Sequence, residues 1–161
     1  MTELSERIVI EPLTDDTFSP FGNVIEAVGT PEFVINTGMC ERFHNRAEVD
    51  FDAQGRAGIS LFKSQCFELP LALNMVERHP LGSQAFIPMS GGPYLVVAAL
   101  DDDGKPGTLR AFVASASQGI NLRRGTWHGV LTPLGGDGLF AVIDRIGTGE
   151  NCDVHSFRQP V

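Results

Sequence analysis

Four histidines stand in this chain of 161 residues: His44, His79, His128 and His155. Three of them sit in dense polar surroundings. His79 follows Glu77 and Arg78 and precedes Gln84. His128 follows Arg123, Arg124 and Trp127, and His44 lies between Arg42 and Arg46. His155 stands in a polar tail and reads as solvent-exposed. Neutral imidazole is well suited to taking and returning a proton near pH 7. Arginine adds a second capability, because its planar fork binds a carboxylate with two parallel hydrogen bonds. Arg42, Arg46, Arg78, Arg123, Arg124 and Arg145 are the candidates, with one or two expected in a pocket. Arg42 is favoured, since Asn36 and His44 are close to it in sequence. Phe86 and Trp127 read first as core aromatics, and Trp127 is also a candidate wall of the pocket.

Other chemistries lack their signatures. There is no GxSxG elbow, no phosphate-binding P-loop and no GxGxxG turn. Cys40, Cys66 and Cys152 are odd in number, widely spaced and without a CxxC. They read as reduced thiols, each a small apolar filler. The net charge of -8 argues against a nucleic-acid partner, because phosphate binding wants clustered Lys and Arg. A few arginines in a cleft can still attract a small anion. The polar start Met1–Ile10 does not resemble a secretion signal. No apolar run approaches the roughly 20 residues of a membrane helix. A cytoplasmic protein with no membrane partner is expected.

Short strands must position these residues. Gly and Pro, at 18 and 10 residues, punctuate the chain closely and favour turns. Arg7–Pro12, Asn23–Val28, Phe33–Asn36, Ala57–Cys66, Gln84–Met89 and Thr108–Ser115 read as strands. So do Gln118–Leu122, Trp127–Thr132 and Leu139–Arg145, while Leu71–Glu77 suits either a strand or a helical turn. Tyr94–Leu100 is the most apolar run and should be a buried strand. Thr14 offers an N-cap for one short helical turn. Asp101–Gly107 reads as a solvated acidic turn, and the chain from Gly147 as a polar tail. Nine to eleven short strands, with no ordinary amphipathic helix, predict an all-β sandwich or barrel, jelly rolls included. With no repeat or linker, residues 1–161 are expected to form one domain.

Two segments resemble the motifs of the cupin superfamily. Glu77-x-His79, then Gln84, Pro88 and Gly91, is similar to a degenerate first cupin motif. Gly119, then Arg124-Gly125-x-x-His128, is similar to the second, with Arg123 in place of its usual Pro. The resemblance implies that Glu77, His79, Gln84 and His128 converge inside a cupin-like β-barrel, since alternate residues of adjacent strands share a lumen. Such a mixed set could hold a divalent ion such as Ni2+ or Mn2+, or form a metal-free polar pocket.

Longer stretches resemble the ureidoglycolate lyase family. They are Ile35–Gly38 with Glu41–His44, Val76–Met89, Thr108–Phe112, Gln118–His128, Ile143–Arg145 and Asn151–Val154. Many members carry a second His after the Trp-His pair, where this chain has Gly129. The resemblance implies a homodimer acting in allantoin and purine breakdown. Its substrate, (S)-ureidoglycolate, bears hydroxyl, carboxylate and ureido nitrogen on one carbon. Cleavage to glyoxylate and urea needs a base, an acid and a cation for the carboxylate, and no redox cofactor. On this reading His79 or His128 is the base, and Glu77 orients His79 or ligates a metal. Gln84 and Asn36 bond the ureido group or the hydroxyl, Arg42 clamps the carboxylate, and His44 and Trp127 complete the binding set. Two rivals remain: another cupin enzyme acting on a small carboxylate, and a non-catalytic cupin that senses a metabolite.

Overall fold

The computed structural model describes residues 7–161. Most of Met1–Ile10, the stretch read for a secretion signal, lies outside them. The described residues form sixteen short strands and one helical turn. No helix among them is long and apolar enough to cross a membrane.

The most apolar run is the centre of the fold. Tyr94–Ala99 is buried at every position. Alternation divides its side chains between two faces. Tyr94, Val96 and Ala98 join a core with Phe18, Phe86, Phe112, Phe140 and Val142. Leu95, Val97 and Ala99 join a second cluster on the opposite face, with Leu73, Val76, Ala111 and Trp127. A strand packed on both faces needs no polar alternation, which is why this run reads as continuously apolar.

This strand belongs to a seven-stranded sheet. Its order is Ile10–Pro12, Arg110–Ala114, Tyr94–Ala99, Trp127–His128, Met75–Arg78, Asp153–Ser156, with Thr132–Pro133 also paired to Tyr94–Ala99. A five-stranded sheet runs Gly22–Ile25, Gly119–Leu122, Gln84–Pro88, Leu139–Ile146, Arg56–Lys63. The inner core draws Val96 and Phe112 from the first sheet and Phe86, Ile120 and Phe140 from the second. The two sheets therefore face each other across one apolar layer, the all-β arrangement expected. Among the described residues, the Arg56–Lys63 strand is hydrogen-bonded on one side only, and it exposes Ile59 and Leu61.

The helical turn is Asp15–Phe18, capped by Thr14 as expected. Thr17 completes a reciprocal capping box with Thr14, so two backbone N–H groups find partners within one turn. The turn delivers Phe18, fully buried, against Phe21 and Phe112 at centroid distances of 5.9 and 5.4 Å.

Several expectations are corrected. The chain after Gly147 is not merely a tail, because Asp153–Ser156 pairs with Met75–Arg78 along its whole length. This half-polar strand offers no apolar run to read, and its partner defines it. Its His155 is half-buried between Trp127 and Phe157, not solvated. Asp101–Gly107 contains a two-strand hairpin, Asp101–Asp102 with Lys105–Pro106, and Cys40–Arg42 pairs with Phe33–Ile35. The cysteines are not fillers: Cys66 and Cys152 are exposed and Cys40 is half-buried, all three as free thiols.

The aromatic layer should dominate stability. Phe112→Ala should cost about 3–5 kcal/mol, as large-to-small changes in packed cores do. Urea denaturation should report this, against under about 0.5 kcal/mol for Leu61→Ser on the surface. Equal effects would show that the layer between the sheets is not the main core.

Candidate functional site

Glu77 and His128 stand directly opposite each other on paired strands. Their neighbours Val76 and Trp127 point to the outer cluster, so Glu77 and His128 point to the inner face. His79, two residues beyond Glu77, falls on the same face. Its backbone is pinned by the Gly125 N–H, which donates to the His79 carbonyl at 3.0 Å. One ligand-type atom each from Glu77, His79 and His128 lies within 4.8 Å of the others. The two imidazole centroids are 5.1 Å apart.

Backbone carbonyls fix the tautomers. His79 Nδ1 bonds the Asn151 carbonyl at 2.7 Å, and His128 Nδ1 bonds the Gly129 carbonyl at 2.9 Å. A carbonyl can only accept, so each Nδ1 carries the hydrogen and each Nε2 keeps a lone pair. Both Nε2 atoms are buried without a hydrogen-bond partner. The Glu77 carboxylate lies 4.0 Å from His79 Nε2, and its other oxygen accepts from the Cys152 thiol at 3.7 Å. Burial pushes His128 down to about 4, and neighbouring His79 adds to this, against the opposing Gly129 carbonyl. His128 is therefore neutral at pH 7. Two imidazole lone pairs and a carboxylate oxygen are a donor set suited to a divalent transition ion. An ion there would also satisfy the two orphaned nitrogens, so the residues fit such a group.

The outer face of the same strands is locked by charge. Arg78 donates from Nε to Asp153 at 2.8 Å and from Nη1 to Asp101 at 2.6 Å. Its guanidinium stacks over the Trp127 ring at 4.7 Å, and the indole N–H donates to Asp101 at 2.8 Å. The Trp127 bond and Arg78 hold Asp101 below the usual carboxylate range. Trp127 thus faces away from His128, and the structure does not make it a pocket wall.

Other expected residues divide in two. Gln84 is inward, sharing a face with Leu122 and Phe86, and its Nε2 donates to Asp144 at 3.1 Å. Asn36, Arg42 and His44 instead belong to an exposed hairpin, where Arg42 and His44 pack on the Phe33 ring. Among the described residues, no hydrogen bond or ion pair joins them to Glu77, His79 or His128. Arg145 is also spent elsewhere, bonding Asp52 and the Thr148 carbonyl. Asp144, Asn151 and Cys152 were not singled out as site residues. Asp144 sits two positions from buried Val142, which the period of two in Leu139–Arg145 could have revealed. Asn151 meets His79 through its backbone carbonyl, which no side-chain motif encodes. A groove of about 880 Å3 lies on the opposite face of the sheet. Leu71, Leu73, Leu95, Val97 and Ala111 line it, and it lies outside this chemistry.

Comparison with known proteins agrees across nearly the whole chain. The family profile described as ureidoglycolate lyase matches residues 5–161. A ureidoglycolate lyase of Rhodobacter capsulatus is 53% identical over 156 residues, covering 97% of each chain. One from Chelativorans sp. is 48% identical, covering 96% of this chain and 94% of its own. A ureidoglycolate lyase 2 of Rhizobium meliloti is also 48% identical, covering 94% and 93%. Among solved structures, RmlC from Streptococcus suis aligns over 86% of this chain and 55% of its own, at 16% identity and a TM-score of 0.38.

His128 gives a test by pH. Its folded value, about 4, lies below the ordinary 6.5. Between these values the unfolded chain binds a proton that the folded chain refuses. Stability must therefore fall as pH drops from about 6.5 toward 4. The loss should be about 2 kcal/mol between pH 7 and pH 5, read by urea denaturation in metal-free buffer. His128→Asn should remove that part of the slope. An unchanged slope would mean that His128 is not held neutral by burial.

Proposed function

The chain belongs to the ureidoglycolate lyase family, and from that premise we propose that it cleaves (S)-ureidoglycolate into glyoxylate and urea at the Glu77–His79–His128 cluster. The observation that carries this reading is the pair of buried Nε2 lone pairs beside a carboxylate. The substrate carbon bears a hydroxyl, a carboxylate and the ureido nitrogen. Removing the hydroxyl proton lets its electrons form the aldehyde of glyoxylate. The C–N bond then breaks, and the departing nitrogen takes a proton to give urea. Every step is a proton transfer or a heterolysis, so no oxidant or reductant is needed.

His79 and His128 are the groups that can accept the hydroxyl proton, each with its Nε2 lone pair free. His128, neutral at pH 7, is a poor holder of a proton because burial opposes its charge. His79, half-buried, with its free Nε2 4.0 Å from the Glu77 carboxylate, is the better placed one. His79 would thus take the proton from the hydroxyl and return it to the nitrogen. If a divalent ion such as Ni2+ or Mn2+ is held, Glu77, His79 and His128 would hold it. His79 would then not be the base, and the ion would instead supply Lewis-acid polarisation of the substrate hydroxyl.

A cytoplasmic homodimer is part of the same reading. The one-sided edge strand Arg56–Lys63, with exposed Ile59 and Leu61, supports a surface that pairs with a second copy.

Purified, EDTA-treated protein given ureidoglycolate, with and without Ni2+ or Mn2+, should release urea and glyoxylate. His79→Ala should lower kcat/KM by at least about 100-fold while leaving the fold intact by circular dichroism. Ammonia in place of urea would identify an amidohydrolase. Tight glyoxylate binding without turnover would instead indicate a sensor.

A further inference from the structure

Gln84 is 7% exposed, and its two amide ends are in opposite situations. Its Nε2 donates to Asp144 at 3.1 Å, while its Oε1 is buried without a partner. A carboxylate has only acceptors to offer. Asp144 therefore accepts from the NH2 end alone, and the amide oxygen must point the other way. An amide without such a neighbour could turn either end outward.

Both residues face the space between the sheets. Gln84 stands opposite Leu122 and two positions from Phe86, and Asp144 two positions from Val142, all three in the inner core. Glu77, His79 and His128 point into the same space from the opposing sheet. The orphaned oxygen of Gln84 thus joins the two orphaned imidazole nitrogens as acceptors that the protein leaves unpaired. A buried acceptor without a partner selects for a ligand bearing a donor, because a ligand without one leaves the desolvation cost unrecovered.

We propose that Asp144 is a positioning residue that holds the Gln84 amide so that Oε1 accepts an N–H of the ureido group, making the site selective for ureido donors. This rests on the lyase reading, since ureidoglycolate presents its N–H donors on the half that leaves as urea. Its carboxylate carries none. Asp144 acts without touching the reacting carbon.

Two ligands of matched shape isolate this contact. N-carbamoylglycine keeps the ureido and carboxylate groups but lacks the hydroxyl, so it cannot be cleaved. Levulinate has carbon in place of both nitrogens and offers no donor there. Calorimetric titration of the purified protein should show a preference of tenfold or more for carbamoylglycine. Asp144→Asn supplies an NH2 that lets the Gln84 amide turn. That preference should fall about tenfold, with levulinate binding within twofold of the original. Gln84→Met, which removes the amide at similar volume, should lose the preference to the same extent. Adding Asp144→Asn to Gln84→Met should then change nothing further.

An intact preference in Asp144→Asn, equal weakening of both ligands, or additive losses in the double variant would each overturn the proposal. So would loss of bound metal in Gln84→Met, which would make Gln84 a ligand and not a reader. Failure of the lyase reading looks different: the unaltered protein would release no urea from ureidoglycolate, whatever the two binding constants show. No preference for carbamoylglycine in the unaltered protein would dispose of the Asp144 role while leaving urea release untouched.

Discussion

Residues directly opposite on antiparallel strands point to the same face and bring their Cβ atoms within about 4.5–5.5 Å. Glu77 and His128 are such a pair, and the rest of the site follows from their register. His79 reaches the same face because it lies two positions on. Asn151 reaches His79 because the strand beginning at Asp153 pairs with Met75–Arg78 on the other side. A slip of one residue between these strands would send both imidazoles to the outer face and Arg78 and Trp127 inward. The register is guarded from outside, where Arg78 joins Asp101 and Asp153 across strands and stacks on Trp127.

The two faces of that sheet treat their polar groups in opposite ways. Outside, Arg78, Asp101, Asp153 and the indole N–H are mutually satisfied. Inside, His79 and His128, and Gln84 facing them from the opposing sheet, each keep one buried atom unpaired. Orphaned groups of this kind cost stability, and their concentration in one space marks it as the place where something else is meant to bind. The aromatic layer of Phe18, Phe86, Phe112 and Phe140 lies in the same inter-sheet space and offsets that cost with apolar burial.

Much of this was legible in the sequence. Strands rich in apolar residues announced themselves, Tyr94–Ala99 above all, and so did the capped turn at Thr14. The resemblance to cupin motifs implied that Glu77, His79 and His128 converge, each in a strand or just past its end. What escaped had physical reasons. Asp153–Ser156 is a strand because of its partner and not its composition. Asn36, Arg42 and His44 are close in sequence to each other, yet the turn between Ile35 and Cys40 holds them on an exposed hairpin. Trp127 was adjacent to a site residue, and adjacency in a strand means the opposite face. Asp144 lay in a recognised strand, but only its tertiary neighbour Gln84 gives it a task.

The bond from His79 to Asn151 also orders events during synthesis. A ribosome releases Glu77, His79 and His128 well before residue 151, at about 5–20 residues per second. Until that later segment arrives, nothing fixes which nitrogen of His79 carries the hydrogen, and Met75–Arg78 presents a bare edge on one side. The growing polypeptide therefore holds its reactive groups before it holds them in working order.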